Sequence, residues 1–242
     1  MRVSLNELET RYARAFEAMG LAAGLAADAA RMAARHDVWG LDGLAAVTDR
    51  LHRLDGAPLV EPSVDRGQAA AMLDARGASL LQVGAPALDL LEIEAARDAG
   101  GRLHLTNCAD ADFAPGLAAL AAARGLTTVL RARVGEELLT AAVCGGETAL
   151  YRGPAEAGTA PAPDALELTA GAAVGDRLPD ADRATVALTG NLLRARERDA
   201  VDLGVAVDAE RWRRIYALGA RFLVSETEES RRRGAGGGSD RD

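Results

Sequence analysis

The hydrophobic period of this chain changes once, and the change falls at Pro58 and Pro62. Before those prolines, apolar residues recur at helical spacing. After them, short apolar runs of strand length alternate with helical stretches. Strands interleaved with helices must bury the apolar face of a sheet under a helix layer, which restricts the fold to an α/β arrangement.

The first 55 residues read as helices. Ser4 and Glu7 have the spacing of a capping box, in which each side chain satisfies a free backbone donor near the other. Leu5, Leu8, Tyr12, Phe16 and Met19 then form one stripe, and Gly20 supplies a stop. An alanine-rich helix follows over Leu25 to His36. Asp42 is placed to cap a third, with Leu44, Val47, Leu51 and Leu54 on one face.

Downstream, AAAML (69–73) reads as a strand. Pro86 to Ala99 reads as a helix with its proline in the first turn, where no N–H is needed. Leu103 to Thr106 is strand-like and Phe113 to Arg124 helical. Thr127 to Val134, Leu138 to Val143 and Thr148 to Tyr151 read as three strands, the last two joined by a CGGE turn. Gly153 to Asp164 is loop-like, and Leu166 to Thr169 and Ala184 to Leu188 add two short strands. Asp208 caps a final helix whose stripe is Trp212, Ile215, Leu218 and Phe222. The expectation is an N-terminal helical segment (1–56), then a mixed β-sheet flanked by helices with a closing C-terminal helix (57–224). A polar tail (225–242), ending in a disordered GAGGGSDRD stretch, completes the division.

Hydrophobic residues make up 49% of the chain but aromatics only 3%, so the core is expected to be Ala, Leu and Val with closely approaching helices. The net charge of −8 is wrong for a nucleic-acid partner, which needs a basic stripe. The Arg231–Arg233 cluster reads as a solvated tail. No apolar run reaches membrane-spanning length, and the charged start lacks a signal-peptide core. Cys108 and Cys144 have neither CxxC nor zinc spacing. These features point to a soluble protein of the cytoplasm, with no membrane partner.

All 28 basic residues are arginine, and there are three histidines. Without lysine there is no Schiff base and no P-loop cation. Arginine clamps anions but does not accept protons at any relevant pH. GASLLQVG (77–84) is not the GxGxxG pattern of a dinucleotide turn.

Two resemblances follow from particular stretches. RVSLNELE at the start, GVAVDAERWRRIYALGARFLV and ESRRRGAGGG resemble a bacterial family of unknown function along the whole chain. Residues 3 to about 130 are similar in layout to the malate/L-lactate dehydrogenase-like family, which includes ureidoglycolate and sulfolactate dehydrogenases. That family's first signature, approximately R-G-x-x-S-H-G, is matched by Trp39-Gly40-Leu41-Asp42-Gly43-Leu44 without the serine and histidine. LDGAPLVEP (54–62) resembles the exit from the helix that follows. The second signature, approximately N-x-N-H-F-G, is matched by Asn107 and Phe113 within HLTNCADADFAPGLAALAAARGL. Asp110 and Asp112 stand there in place of the histidine. The lysine such dehydrogenases use near the substrate is absent. The resemblance implies a malate/L-lactate dehydrogenase-like scaffold and a homodimer, and it alone implies a nicotinamide cofactor, NAD or NADP.

Five residues are candidates for chemistry, each with a plainer alternative. His36 is a relocated proton carrier or a cation at a helix C-terminus. Asp110 and Asp112 are an acid–base or hard-metal pair or simple helix caps. His104 and Cys108 are a nucleophilic pair or a strand histidine and a buried thiol. His52 reads as solvent-facing.

Moving the hydroxyl proton of a 2-hydroxy acid needs an acid or base. The scaffold without its proton carriers implies a non-catalytic or regulatory protein. The alternative is a divergent NAD(P)-dependent oxidoreductase, or another enzyme, that binds a small acidic metabolite and uses His36, Asp110 or Asp112. A third possibility is an accessory subunit that docks through the arginine-rich C-terminal helix.

Overall fold

The structure is a computed structural model and describes residues 1–56, 61–66, 70–98, 100–156, 160–171, 174 and 185–222. The tail at 225–242 and Leu223–Val224 lie outside the described residues. The chain runs β1 (Arg2–Val3), α1 (Leu5–Ala18), α2 (Ala23–Val38), α3 (Gly43–Asp49), α4 (Leu51–Leu54), β2 (Ser63–Arg66), β3 (Ala71–Asp74) and α5 (Leu80–Asp98). It continues with β4 (Arg102–Thr106), α6 (Ala114–Ala123), β5 (Thr128–Val134), β6 (Glu137–Cys144), β7 (Glu147–Pro154) and β8 (Leu166–Ala170). Then come β9 (Thr185–Leu188), α7 (Gly190–Leu203), β10 (Val205–Ala206) and α8 (Ala209–Gly219). This is the mixed α/β architecture expected from the change of period.

Among the described residues, eight strands form one sheet in the order β2-β3-β4-β8-β5-β6-β7-β9. Among these eight strands, only β3 and β4 pair in parallel; α5 makes the crossover between them, as a parallel pair requires. Leu73, Leu105, Leu166, Ala132 and Leu139 lie in one cross-strand row. All five are buried, on the face that α5 and α6 cover. The same row continues through Arg152, which therefore points to the helix side of the sheet. The alternate row holds Met72, His104, Glu167, Arg131, Thr140 and Tyr151 on the opposite face.

Several local expectations are met by their physical causes. Ser4 Oγ accepts the Glu7 amide at 3.1 Å, and Leu8, Tyr12, Phe16 and Met19 are buried along α1 and its end. Asp208 Oδ1 accepts the Glu210 and Arg211 amides at 3.1 and 2.8 Å. The β6–β7 turn places Gly145 and Gly146 at φ 58° and 79°, where glycine is strain-free.

One expectation here needs correction. The helix expected to begin at Pro86 begins at Leu80, so Pro86 lies inside α5. Its start is set by Ser79 and Gln82: Gln82 Oε1 accepts the Ser79 amide at 2.9 Å and Ser79 Oγ accepts the Leu81 amide at 3.3 Å. That reciprocal pair outweighs the proline's preference for a first turn. The short β1–β10 ribbon, β2 and the whole of α7 were not anticipated.

One continuous apolar cluster includes Leu8, Ala33, Leu88, Phe113, Leu130 and Leu166, so the helical layer and the sheet share a core. Alanines bury fully along α2, which lets its neighbours approach closely. The closing helix α8 packs on α1 and α3. Arg211 Nη1 ties it there by donating to Thr48 Oγ1 at 2.6 Å and Asp49 Oδ1 at 2.5 Å.

Candidate functional site: a cleft between two turns and the sheet

The last turn of α2 carries His36 and Asp37 side by side. Two glycines bring the neighbouring elements against this turn. A Cβ at Gly43 would collide with the Ala33 carbonyl oxygen, and one at Gly116 would sit 2.5 Å from the Met32 carbonyl oxygen. The starts of α3 and α6 therefore both rest directly on the α2 backbone.

His36 is buried and packs against the Phe113 ring at 4.7 Å. Its Nε2 accepts the Gly116 amide at 3.2 Å. Burial pushes its pKa down to about 4; a backbone hydrogen bond at Phe113 opposes the shift and the nearby Arg50 charge adds to it. The imidazole is therefore neutral at neutral pH, not the cation expected at a helix C-terminus. A free donor at the α6 N-terminus needed an acceptor, and desolvation removed the charge.

Asp37 is the residue that holds α3. Its Oδ1 accepts the Leu44 amide at 2.7 Å, and its Oδ2 accepts the Tyr12 hydroxyl at 2.6 Å. Burial raises the Asp37 carboxyl to about 6; the Tyr12 and Leu44 hydrogen bonds resist this and the charge of Asp42 adds to it. Burial and the Asp37 charge also hold the Tyr12 hydroxyl well above its ordinary value. Asp42, expected to cap α3, occupies the N-cap position at φ 52° but makes no cap bond. Asp37 reaches the free Leu44 amide instead.

Asp110 and Asp112 likewise do not cap. Arg50 donates through Nε to Asp110 Oδ1 at 2.8 Å and through Nη2 to Asp112 Oδ2 at 2.6 Å. Arg53 Nη2 also donates to Asp110 Oδ1, at 2.6 Å. Arg50 Nη1 donates to the Ala46 carbonyl at 2.8 Å, and its guanidinium lies 5.6 Å from the Phe113 ring centre. The Asp110 side chain is 2% exposed, and its Oδ2 is a buried atom with no hydrogen-bond partner. Burial raises the Asp112 carboxyl, against the pull of Arg50 and with the Asp110 charge. Among the described residues, no cluster of three or more His, Cys, Asp or Glu side chains is arranged to hold a metal ion.

Beside this knot lies a cleft of about 470 Å³. The Gly40–Asp42 turn, His36, Asp112 and Pro115 form one wall. Val134, Glu137, Leu139, Leu150 and Arg152 from the sheet form the other, and Arg196 of α7 closes one side. A volume of this order suits a small metabolite. Glu137 accepts from Arg152 at 3.2 Å. Arg196 Nη1 donates to the Trp39 carbonyl.

The sequence candidates thus divide. His36 and Asp112 line the cleft, and Asp110 stands behind Asp112 in the Arg50 knot. His104 lies half-buried on the other face of the sheet, opposite Met72 and Glu167. Cys108 is buried, its thiol donates to the Ala109 carbonyl at 3.4 Å, and burial pushes the thiol strongly up. No hydrogen bond joins His104 to Cys108 among the described residues, and a raised thiol disfavours the nucleophilic thiolate. His52 is exposed, as expected.

Sequence reasoning missed Asp37, Asp42, Arg50, Arg152 and Arg196 as members of the site. For Asp37 a signal existed, an acidic residue beside His36 ahead of a glycine turn. For Arg196 the signal was Thr189, whose hydroxyl accepts the Leu192 amide at 3.3 Å and caps α7. The partners of Arg50 lie 60 and 62 residues away, a separation no local pattern reveals.

Residues 3–73 match the model of a family described as a protein of unknown function, DUF3726. No curated protein matches the chain. Solved structures do. A dehydrogenase from Sinorhizobium meliloti aligns at 16% identity and TM-score 0.67, over 91% of this chain and 99% of that one. Malate dehydrogenase from Pyrococcus horikoshii OT3 aligns at 11% identity and TM-score 0.67, over 94% and 97%. Delta1-piperideine-2-carboxylate reductase from Pseudomonas syringae pvar. tomato aligns at 13% identity and TM-score 0.64, over 90% and 99%. The fold is therefore malate/lactate dehydrogenase-like. Among the described residues, no helix is long and apolar enough to cross a membrane.

Proposed function

We propose that this chain binds a small carboxylic acid in the cleft without turning it over, as a regulatory protein on a malate/lactate dehydrogenase-like scaffold. The observation that carries this is the state of His36. Among the described residues it is the only imidazole at the cleft, its Nε2 lone pair is taken by the Gly116 amide, and its pKa is lowered to about 4. With no lysine in the sequence, no side-chain amine replaces it. Arg196 and Arg152 supply fixed cations for an anionic ligand. The two free cysteines suit a cytoplasmic setting, and the acidic balance does not suit nucleic acid. Self-association as a homodimer is carried over from the scaffold likeness, and sedimentation of the purified chain tests it against an accessory-subunit role.

A second reading has one specific support. Asp112 stands directly before Phe113, at the cleft, with its carboxyl raised by burial. A raised carboxyl is suited to proton transfer near neutral pH, as a divergent NAD(P)-dependent oxidoreductase would need. The residues fit the dinucleotide poorly. Pro115 has no N–H and the Gly116 amide serves His36, so the start of α6 offers little to a pyrophosphate.

The experiment is a panel of 2-keto and 2-hydroxy acids with NAD(H) and NADP(H), monitored at 340 nm. Melting curves of the same mixtures run alongside. The binding reading expects ligand-dependent rises in melting temperature and no turnover. Turnover abolished by Asp112→Asn would replace it with the oxidoreductase.

A further inference from the structure

The charges that line the cleft are unevenly paired. Glu137 engages Arg152, and Asp112 engages Arg50 from behind the wall. Two groups remain. Arg196 bonds the Trp39 carbonyl but has no carboxylate partner among the described residues. The Asp42 carboxylate has neither a hydrogen bond nor an ion pair among them.

Both groups are placed by the same turn. The Arg196 guanidinium lies over Gly40, where an added Cβ would be 3.0 Å from its Nη1. Asp42 follows two residues later, its backbone at φ 52° and its neighbour Gly43 seated on the α2 backbone. The turn therefore presents one cation and one anion that do not pair with each other. The buried Asp37 carboxyl stands close enough to feel the Asp42 charge. Anion and cation together match a ligand that carries both charges on neighbouring atoms. Val134, Leu139, Leu150 and Leu188 line the cleft and give a side chain an apolar surface.

We infer that the cleft selects a small zwitterion, an α-amino acid, seating its carboxylate on Arg196 and its ammonium on Asp42. This rests on the cleft being the metabolite site proposed above. It goes beyond that reading by requiring a positive charge on the ligand, not only a negative one. A 2-hydroxy acid offers Asp42 a neutral hydroxyl; the corresponding amino acid offers it a charge-assisted hydrogen bond, which is roughly twice as strong.

The test uses isothermal titration calorimetry on the full chain with matched pairs: L-aspartate against L-malate, and L-alanine against L-lactate. The amino acid of at least one pair is expected to bind about tenfold more tightly than its hydroxy partner. Asp42→Asn should erase that preference, weakening the amino acid about tenfold more than its hydroxy partner. Asparagine tolerates the left-handed backbone, so this variant retains the turn. Arg196→Gln should weaken both members of a pair; its melting curve is recorded first, because the Trp39 contact is lost with it. Equal or tighter binding of the hydroxy acids overturns the zwitterion assignment and leaves the carboxylate site standing. No binding by any member of either pair overturns both.

Discussion

His36 Nε2 accepts the Gly116 amide at 3.2 Å, so a side chain of α2 completes the hydrogen bonding of α6 from outside that helix. The donor it satisfies is buried, and an orphaned buried donor costs about 1–3 kcal/mol. His36→Ala also leaves a cavity against Phe113. We expect it to lower stability by about 3 kcal/mol in urea titration, and His36→Gln, which retains an acceptor, to cost less than half as much. Equal losses for the two variants would show that the hydrogen bond contributes nothing.

His36 and its neighbour Asp37 respond to pH in opposite directions. The His36 pKa is lowered to about 4 from 6.5, so the unfolded chain binds the extra proton and stability falls as pH drops from 6.5 towards 4. The Asp37 pKa is raised to about 6 from 3.8, so the folded chain binds the extra proton and stability rises as pH drops from 6 towards 4. In the parent chain the two contributions largely cancel between pH 4 and 6. Single variants should expose them. Relative to the parent, Asp37→Asn should lose stability as pH falls, and His36→Gln should gain it, each by up to about 3 kcal/mol. Parallel profiles for all three proteins from pH 4 to 7.5 would contradict this.

The Arg50 knot should be strongly asymmetric. Asp110 is 2% exposed and Asp112 32% exposed, although both bind the same guanidinium. Removing one partner of a buried ion pair typically costs about 3–5 kcal/mol. Asp110→Ala is expected near the lower end of that range, because Arg50 keeps Asp112. Asp112→Ala should cost about 1 kcal/mol, the scale of a partly solvated pair. Chemical denaturation of the two variants in parallel decides this; the reverse order would refute it.

Glycines in the same helix layer should differ sharply. Gly43→Ala drives a methyl into the Ala33 carbonyl and Gly116→Ala one into the Met32 carbonyl. Overpacking of this kind costs about 1–3 kcal/mol, and backbone on both sides leaves little room to relax. Gly24→Ala, with nothing within 4 Å of the new Cβ, should stabilise by about 0.5 kcal/mol through reduced chain entropy. Melting temperatures of the three variants rank them directly.

The fold was legible because its cause is local. The stripe of Leu8, Tyr12 and Phe16 and the alternating runs at 128–143 report burial residue by residue, and burial dictates helix or strand. The strand order was not legible: β8 inserts between β4 and β5, and its nearest partner residues lie more than thirty positions away. Helix α7 escaped because it buries only Leu193 and Ala200, too little for a visible stripe. The site was half legible. His36 and Asp112 stand out by residue type, but Arg196 became a site residue only when α7 folded back over Gly40. The Ser79–Gln82 cap shows the remaining margin, since its spacing was readable while Pro86 drew attention away from it.

Gly43 and Gly116 fasten the two turns of one cleft wall to adjacent carbonyls of a single rod, Ala33 and Met32. That wall is thus a fixed jaw, indexed to one helix at two points. Arg196 reaches in from a separate helix that is tied to the end of the same rod through the Trp39 carbonyl, whereas Arg152 reaches in from a strand and is held by Glu137. The fixed jaw, with Arg196 fastened to it, therefore sets the register that a guest has to match against the strand side.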